Sequence, residues 1–266
     1  MHDFAYHRPL TVDAAVSTRK SAADGAYLAG GMTLLPTLKQ GLAAPSDLVD
    51  LGAVAGLAGI EVEGDRVVIG AMTRHADVAA SAEVRRALPA LADLAGQIGD
   101  AQVRNRGTIG GSLANSDPAA DYPAAVVALG ATIRTDRREI AADAYFKDLF
   151  ETALEPGELI RSVSFPIPAR AAYAKFPNPA SRYAVAGVFV ADFGGGQVRV
   201  GVTGAGPCAF RATALETALA KNLSPAAIDG AEIDAGNFNA DLHASAEYRA
   251  QLVKVMAKRA VGALMR

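Results

Sequence analysis

Two short stretches of this sequence each place a pair of glycines among small residues. The first is Ala29-Gly30-Gly31-Met32-Thr33, and the second begins Thr108-Ile109-Gly110-Gly111-Ser112. Glycines without a Cβ can take positive φ and let the backbone approach a bulky ligand. Successive N–H groups in such a turn then point into one concavity, which favours a phosphate-sized anion. Two such loops could hold the two phosphates of a dinucleotide, whereas either pair alone could be only a tight turn.

Neither stretch is one of the common phosphate-binding motifs. No Lys-Ser or Lys-Thr pair follows the glycines, so neither is a P-loop, and neither has G-x-G-x-x-G spacing. The segment from Val200 to Ala209 does match a strand followed by G-x-G-x-x-A. Only about 60 residues follow it, too few for the parallel strands of a Rossmann half. We therefore expect that segment to belong to a small antiparallel sheet packed on a helix.

Polar side chains follow the second glycine pair. Asn115 adds a short amide, and Asp117 and Asp121 lie four residues apart. On one helix face the two carboxylates could form an acid–base or metal-binding pair. Alternatively, Asp117-Pro118 forms a turn and Asp121 caps a helix from Tyr122 to Leu129, and the spacing favours this interpretation.

The sequence predicts how the first loop is positioned. A short apolar strand over 27–29 enters it, and Thr33 is a candidate N-cap for a helix from Leu34 to Gln40. Pro36 falls in the first turn of that helix, and Gly41 stands where a C′ glycine belongs. The loop is thus predicted at a helix N-terminus, where free amides and the helix dipole favour negative charge.

The rest of the chain reads as short strands and helices. A helix over 11–23 and a strand over 47–51 complete a small α/β unit, and residues 57–72 carry a hairpin pattern around Gly64-Asp65. Thr73 is then expected to cap the next helix. Pro166 and Pro168 form the first convincing linker, which predicts a domain boundary there.

Composition limits the classes of function. The chain has 266 residues, 51% of them hydrophobic, and a formal net charge of -2, which gives no general attraction to nucleic acid or anionic membranes. With Cys208 as its one cysteine, it cannot form an internal disulfide or supply an iron–sulfur cluster. Its four histidines show no zinc-ligand spacing. Without a signal-peptide pattern or an apolar run of about 20 residues, a cytoplasmic location with no membrane span is expected.

The two glycine stretches resemble the pyrophosphate-binding loops of the FAD-binding (medium) subunits of molybdenum hydroxylases, the carbon monoxide dehydrogenase and xanthine dehydrogenase family. Further similar segments occur in the same order along nearly the whole chain: residues 4–9, 68–73, 117–121, 155–160 and 247–249. One departure is visible, because the carbon monoxide dehydrogenase branch tends to have His-Ser where this chain has Met32-Thr33. The backbone cradle is unaffected, but a side-chain role of that histidine has no counterpart here.

The resemblance implies an α+β architecture. Residues 1–168 would form a two-part FAD-binding domain of the vanillyl-alcohol-oxidase-like FAD fold, with a small α/β subdomain over 1–52 and a larger one over 53–168. Residues 169–266 would form a small C-terminal α/β domain with an antiparallel sheet and helices. The resemblance also suggests that Asp121 binds the cofactor's ribityl or ribose hydroxyls, that Lys175 lies near the pyrimidine end of the flavin, and that Tyr183 covers one ring face. Without it, Lys175 would be an exposed strand residue and Tyr183 a core aromatic.

Three hypotheses of function follow. In the first, the chain binds FAD and is the electron-exit subunit of a molybdenum hydroxylase, with an iron–sulfur small subunit carrying two [2Fe–2S] clusters and a molybdopterin large subunit as partners in a dimer of heterotrimers. The lack of further cysteines disfavours the 4-hydroxybenzoyl-CoA reductase branch, whose flavin subunit carries an additional cluster. In the second, the chain is a self-contained flavin oxidoreductase of the same FAD-fold superfamily. In the third, it is a cofactor-free scaffold whose glycine pairs are only turns.

Overall fold

A computed structural model of the chain describes residues 2–265. The helices are α1 Val12–Ser21, α2 Leu34–Lys39, α3 His75–Ala80, α4 Ala82–Ala87, α5 Pro89–Gly96, α6 Ala101–Arg106, α7 Ile109–Asn115, α8 Tyr122–Leu129, α9 Ala142–Tyr145, α10 Thr213–Lys221 and α11 Ala246–Leu264. The strands are β1 Ala5–His7, β2 Gly25–Leu28, β3 Asp47–Asp50, β4 Ile60–Glu63, β5 Arg66–Gly70, β6 Thr132–Thr135, β7 Glu139–Ala141, β8 Phe146–Asp148, β9 Glu151–Thr152, β10 Ile160–Pro166, β11 Arg170–Pro177, β12 Ala184–Asp192, β13 Val198–Thr203 and β14 Phe210–Arg211.

The N-terminal segment forms the small α/β unit that the sequence predicts. Strands β1, β3 and β2 lie side by side in that order and run parallel. The Thr11 hydroxyl caps α1 by accepting the Ala14 amide at 3.2 Å. Because β2 ends at Leu28, the chain leaves the sheet directly into the first glycine pair and then enters α2.

A five-stranded antiparallel sheet follows, in the order β4-β5-β10-β6-β7. Its apolar positions alternate, so one face is fully buried; Val67, Ile69, Ile133 and Val163 all have no exposed surface. Helices α5 and α8 pack their apolar residues into the same core. This buried face holds β5 and its following turn in place, which matters because that turn contacts the second glycine pair.

The C-terminal part is a four-stranded antiparallel sheet, β11-β12-β13-β14, with α10 and α11 packed on it. Three glycines with positive φ, Gly194 to Gly196, form the hairpin turn between β12 and β13. The G-x-G-x-x-A segment begins in β13, which is antiparallel to both neighbours, so the expectation of an antiparallel sheet is confirmed. Among residues 2–265, no helix has the length and apolarity to span a membrane.

The two parts of the chain share packing across α8. Phe189 and Ala191 of β12 join the core of the five-stranded sheet. Gly201 of β13 lies so close to α8 that a Cβ there would stand 2.1 Å from the Ala124 carbonyl oxygen. The α+β fold class is confirmed, while the exact boundary at 168/169 stays a prediction.

One predicted cap is wrong. The α3 helix begins at His75 after Arg74, and the Thr73 hydroxyl instead exchanges 3.0 Å hydrogen bonds with the amide and carbonyl of Gly59. Thr73 thus ties β5's end to the loop before β4 and leaves the start of α3 uncapped by a side chain.

Candidate functional site: a cavity between two glycine loops

A cavity of about 550 Å³ lies where the two glycine loops meet. Both loops line it, the first through residues 29–33 and the second through Thr108, Gly110, Gly111 and Ser112, with Asn115 beyond. A Cβ on Gly30 would stand 2.0 Å from the Arg106 carbonyl oxygen. The two loops are therefore in backbone contact, and residue 30 must be glycine for that contact to form.

The first loop keeps its amides free. Gly31 has φ +75°, the left-handed conformation that favours glycine. The amides of residues 30–33 donate to no other atom of residues 2–265. Thr33 occupies the predicted N-cap position of α2, but its backbone is helical and its side chain makes no capping bond. The N-terminus of α2 and this loop together leave a row of unpaired donors beside the cavity, the arrangement that binds anions.

The second loop differs from the prediction. Gly110 and Gly111 have no positive φ but form the first turn of α7, and the Thr108 hydroxyl caps this helix by accepting the Gly111 amide at 3.2 Å. The Ile109 and Gly110 amides donate to the carbonyls of Thr73 and Ala71, at 3.1 and 2.8 Å. The expectation of outward-pointing amides in this loop is wrong, because the fold already uses them.

Close packing explains the glycines of the second loop. A Cβ on Gly110 would stand 2.6 Å from the Ala71 Cβ, and one on Gly111 would stand 3.0 Å from the Thr108 hydroxyl oxygen and 3.6 Å from the Ala29 Cβ. Small residues here let α7 lie directly on the turn after β5 and on the first loop. The second pair thus shapes the cavity wall.

Asp121 lies at the cavity wall in a buried ion pair. Its carboxylate is 2.9 Å from the Lys175 ammonium and accepts the Tyr173 hydroxyl at 2.6 Å. Burial raises the pKa of Asp121, and the neighbouring ammonium and hydroxyl oppose that shift. The predicted capping role is wrong, because Asp121 has helical φ and its side chain makes no capping bond. The predicted turn at Asp117-Pro118 is correct, since the Asp117 carboxylate accepts the Ala119 amide at 2.8 Å.

Two of the predicted site residues are not among the described residues that line the cavity. The side chain of Lys175 is 2% exposed and also donates to the Gln97 carbonyl at 2.9 Å. The interpretation of Lys175 as an exposed strand residue is therefore wrong. Ile109 is fully buried in the core. Their roles towards a cofactor stay predictions.

Tyr183 stands at the rim on the loop between β11 and β12. The buried Asn178 holds this loop by accepting the Ala180 and Ser181 amides at 2.9 and 3.1 Å, and Arg182 takes φ +62°. Tyr183 is 46% exposed, so it is not the core aromatic that the sequence alone suggested. Burial, followed by the charges of Asp117 and Asp121, raises the pKa of its hydroxyl.

Sequence reasoning missed several residues of the cavity. His75, Asp100, Glu158 and Arg182 all line it. His75 is a single histidine without a ligand pattern, so only the approach of α3 to residue 107 reveals it. Asp117 forms the turn that its spacing suggested, and it also lines the cavity.

The charges of the lining constrain the ligand. Asp100, Asp117, Asp121 and Glu158 are acidic, and Arg182 is the one lysine or arginine among the described residues of the lining. A diphosphate would therefore meet backbone amides rather than cationic side chains. Hydroxyls and ring groups would meet carboxylate and amide acceptors further along. Two features of the cavity fit the diphosphate bridge of FAD. The contact at Gly30 leaves no room for a Cβ, and the amides at the start of α2 are free to donate.

Comparison with known proteins supports this fit. Residues 2–168 match the family described as the FAD binding domain in molybdopterin dehydrogenase, and residues 171–264 match the CO dehydrogenase flavoprotein C-terminal domain. The carbon monoxide dehydrogenase medium chain of Hydrogenophaga pseudoflava is 36% identical over 98% of this chain and 96% of its own. The nicotine 6-hydroxylase medium subunit of Paenarthrobacter nicotinovorans is 35% identical over 96% and 95%.

Solved structures agree. A crystal structure of the Cu,Mo-CO dehydrogenase matches with a TM-score of 0.90 at 34% identity, covering 99% of this chain and 98% of that chain. Quinoline 2-oxidoreductase from Pseudomonas putida 86 matches with a TM-score of 0.85 at 28% identity, covering 98% and 96%. These findings confirm the FAD-binding medium-subunit assignment of the first hypothesis, while its dimer of heterotrimers stays a prediction. The chain belongs to the FAD-binding medium subunits of the molybdenum hydroxylases.

Proposed function

We propose that this chain holds FAD in the cavity between its glycine loops and is the electron-exit subunit of a cytoplasmic molybdenum hydroxylase. Its partners would be an iron–sulfur small subunit and a molybdopterin large subunit, in a dimer of heterotrimers. The observation that carries the proposal is the contact of Gly30 with the backbone just before the second loop, which joins both loops around one cavity.

FAD supplies the redox chemistry when bound, and the protein supplies binding, orientation and electrostatics. The unpaired amides of residues 30–33 would hold the diphosphate, with Ala29 and Ser112 closing the wall around it. Thr108 would contribute by capping α7, and Ile109 by its backbone position. Each of these roles uses an atom that lines or shapes the cavity.

Asp121 would bind cofactor hydroxyls. An ionised carboxylate has about four acceptor sites, so capacity remains beyond the bonds from Tyr173 and Lys175. Asn115 lines the cavity and adds a second polar contact. Lys175 would act by holding the Asp121 carboxylate in place, a more indirect role than direct contact with the ring.

Tyr183 would cover one face of the flavin ring. Its position at the rim and its partial exposure support this role, because a ring bound below it would bury the aromatic surface. Substrate oxidation would occur on the large subunit, so the residues of this chain determine how electrons leave and not which substrate is oxidised.

Co-purification tests the proposal. The chain is isolated under native conditions with the proteins that accompany it, and FAD, molybdenum and iron are measured in the preparation. We expect one FAD per chain, released on denaturation. We also expect one larger and one smaller partner chain, which carry the metals. A colourless complex that takes up no FAD would contradict the proposal, and sedimentation analysis tests the dimer of heterotrimers separately.

A further inference from the structure

His75 lies in the cavity wall with unmet hydrogen-bonding capacity. The residue is 5% exposed, begins α3, and donates its amide to the Gly107 carbonyl at 3.0 Å. The residue lines the cavity, and its Nδ1 atom is sealed from solvent without a hydrogen-bond partner among residues 2–265. Buried polar side-chain atoms in folded proteins nearly always have a partner, so an exception calls for an explanation.

A second unpaired group stands beside it. The ring of Tyr122 lies 5.3 Å from the imidazole, centroid to centroid, and its hydroxyl is sealed without a partner in the described part of the chain. A hydroxyl can donate where a neutral imidazole nitrogen accepts. The structure nevertheless shows no hydrogen bond between the two groups, so the imidazole keeps its unpaired nitrogen in the described part of the chain.

The other ring nitrogen faces the contact between the two loops. A Cβ on Gly107 would stand 2.6 Å from His75 Nε2, and a Cβ on Gly30 would stand 2.8 Å from the Gly107 Cα. The imidazole thus packs against Gly107, and Gly107 in turn packs against Gly30 of the first loop. No group of the described residues hydrogen-bonds Nε2.

The imidazole is uncharged at neutral pH. Burial, followed by the positive charge of Arg104, lowers the pKa of His75 to about 4. A neutral imidazole has one donor and one acceptor nitrogen. In the tautomer that carries its proton on Nε2, this nitrogen can donate to a ligand.

We propose that His75 is a further FAD-contacting residue of this cavity, which donates its Nε2–H to an acceptor atom of the cofactor. This inference rests on the FAD binding proposed above.

The test measures FAD rebinding, without reference to turnover. FAD is removed from the co-purified complex, and its dissociation constant is determined by flavin fluorescence for the wild type and for H75F, H75Q and Y122F. H75F keeps a ring but has no donor, so we expect about tenfold weaker binding. H75Q carries an N–H at a similar distance and should stay within about threefold of the wild type. Replacing His243, which is exposed, by phenylalanine is the matched control.

Y122F is a second control, because the Tyr122 ring lies 5.3 Å from the imidazole, centroid to centroid, and its hydroxyl makes no hydrogen bond in the described part of the chain. Y122F should bind FAD within about twofold of the wild type. Equal unfolding midpoints for the variants exclude a general loss of structure.

The outcomes separate the two levels of the proposal. H75F binding within about twofold of the wild type, or H75Q binding as weakly as H75F, would overturn the contact. A wild-type complex that rebinds no FAD would instead overturn the proposed function itself.

Discussion

The two glycine loops look alike in the sequence but differ in their physical roles. In the first loop, Gly31 takes positive φ and the amides of residues 30–33 stay unpaired. In the second, Gly110 and Gly111 are helical, and their amides are bonded within the fold. One pair thus provides binding groups, whereas the other lets α7 pack close enough to form the wall. A glycine pair therefore indicates either a ligand or a neighbouring backbone, and only the contacts distinguish them.

The largest expected effect is at Gly30. The change Gly30→Ala places a Cβ 2.0 Å from the Arg106 carbonyl oxygen, a backbone atom that can move only with its loop. We expect a loss of at least about 3 kcal/mol in the free energy of unfolding and loss of most bound FAD. Denaturant unfolding and flavin absorbance after desalting measure both.

Gly262→Ala is the control for Gly30→Ala. It lies within α11 with no atom within 4 Å of the added Cβ, and it should be neutral or slightly stabilising. If Gly30→Ala retained FAD and stability, the contact between the loops would not define the site.

The next largest effect is expected at Gly110, where a substitution should lower the stability of the fold more than it lowers the affinity for FAD. Gly110→Ala places a Cβ 2.6 Å from that of Ala71, and we expect about 2 kcal/mol of destabilisation. FAD affinity, measured at a temperature where the variant is folded, should fall by less than about tenfold. Full loss of FAD at unchanged stability would show that the second pair also binds directly.

A matched pair sharpens the contrast. Gly31→Ala must hold an alanine at φ +75° and should cost about 1–2 kcal/mol, with weaker FAD binding. Gly111→Ala sits in a helix, where the gain in propensity offsets a 3.0 Å contact with the Thr108 hydroxyl, so its net effect should stay below about 1 kcal/mol. Equal costs for the two variants would contradict the assigned difference.

The smallest expected effect is that of salt. Backbone amides carry no net charge, and Arg182 is the one cationic lysine or arginine in the described cavity lining. Raising NaCl from about 0.05 to about 0.5 M should weaken FAD binding by less than about threefold. The variant Arg182→Gln, whose backbone must take the same positive φ, should change FAD affinity by a similarly small factor. A steep salt dependence would mean that side-chain charge, not the amides of the first loop, holds the diphosphate.

Local sequence signals predicted much of the scaffold. The α2 helix begins after the first loop, and Gly41 beyond its end takes φ +72°, as Pro36 and Gly41 indicated. The hairpin around Gly64 forms as well. These features depend on a few neighbouring residues, so the sequence contains the information that determines them.

The site's finer details depend on distant partners. Whether Gly110 binds or packs is decided by Ala71, and whether Asp121 caps a helix or forms an ion pair is decided by Lys175. The position of His75 follows from the approach of residue 107. None of these contacts follows from local spacing, because each joins elements far apart in the chain.

The ion pair of Asp121 and Lys175 connects two parts of the chain that match separate families, since one residue lies in 2–168 and the other in 171–264. Removing one member of a buried pair leaves an uncompensated charge and costs about 3–5 kcal/mol. Chimeras that take residues 171–264 from a relative must therefore keep a cationic side chain at position 175 to pair with Asp121.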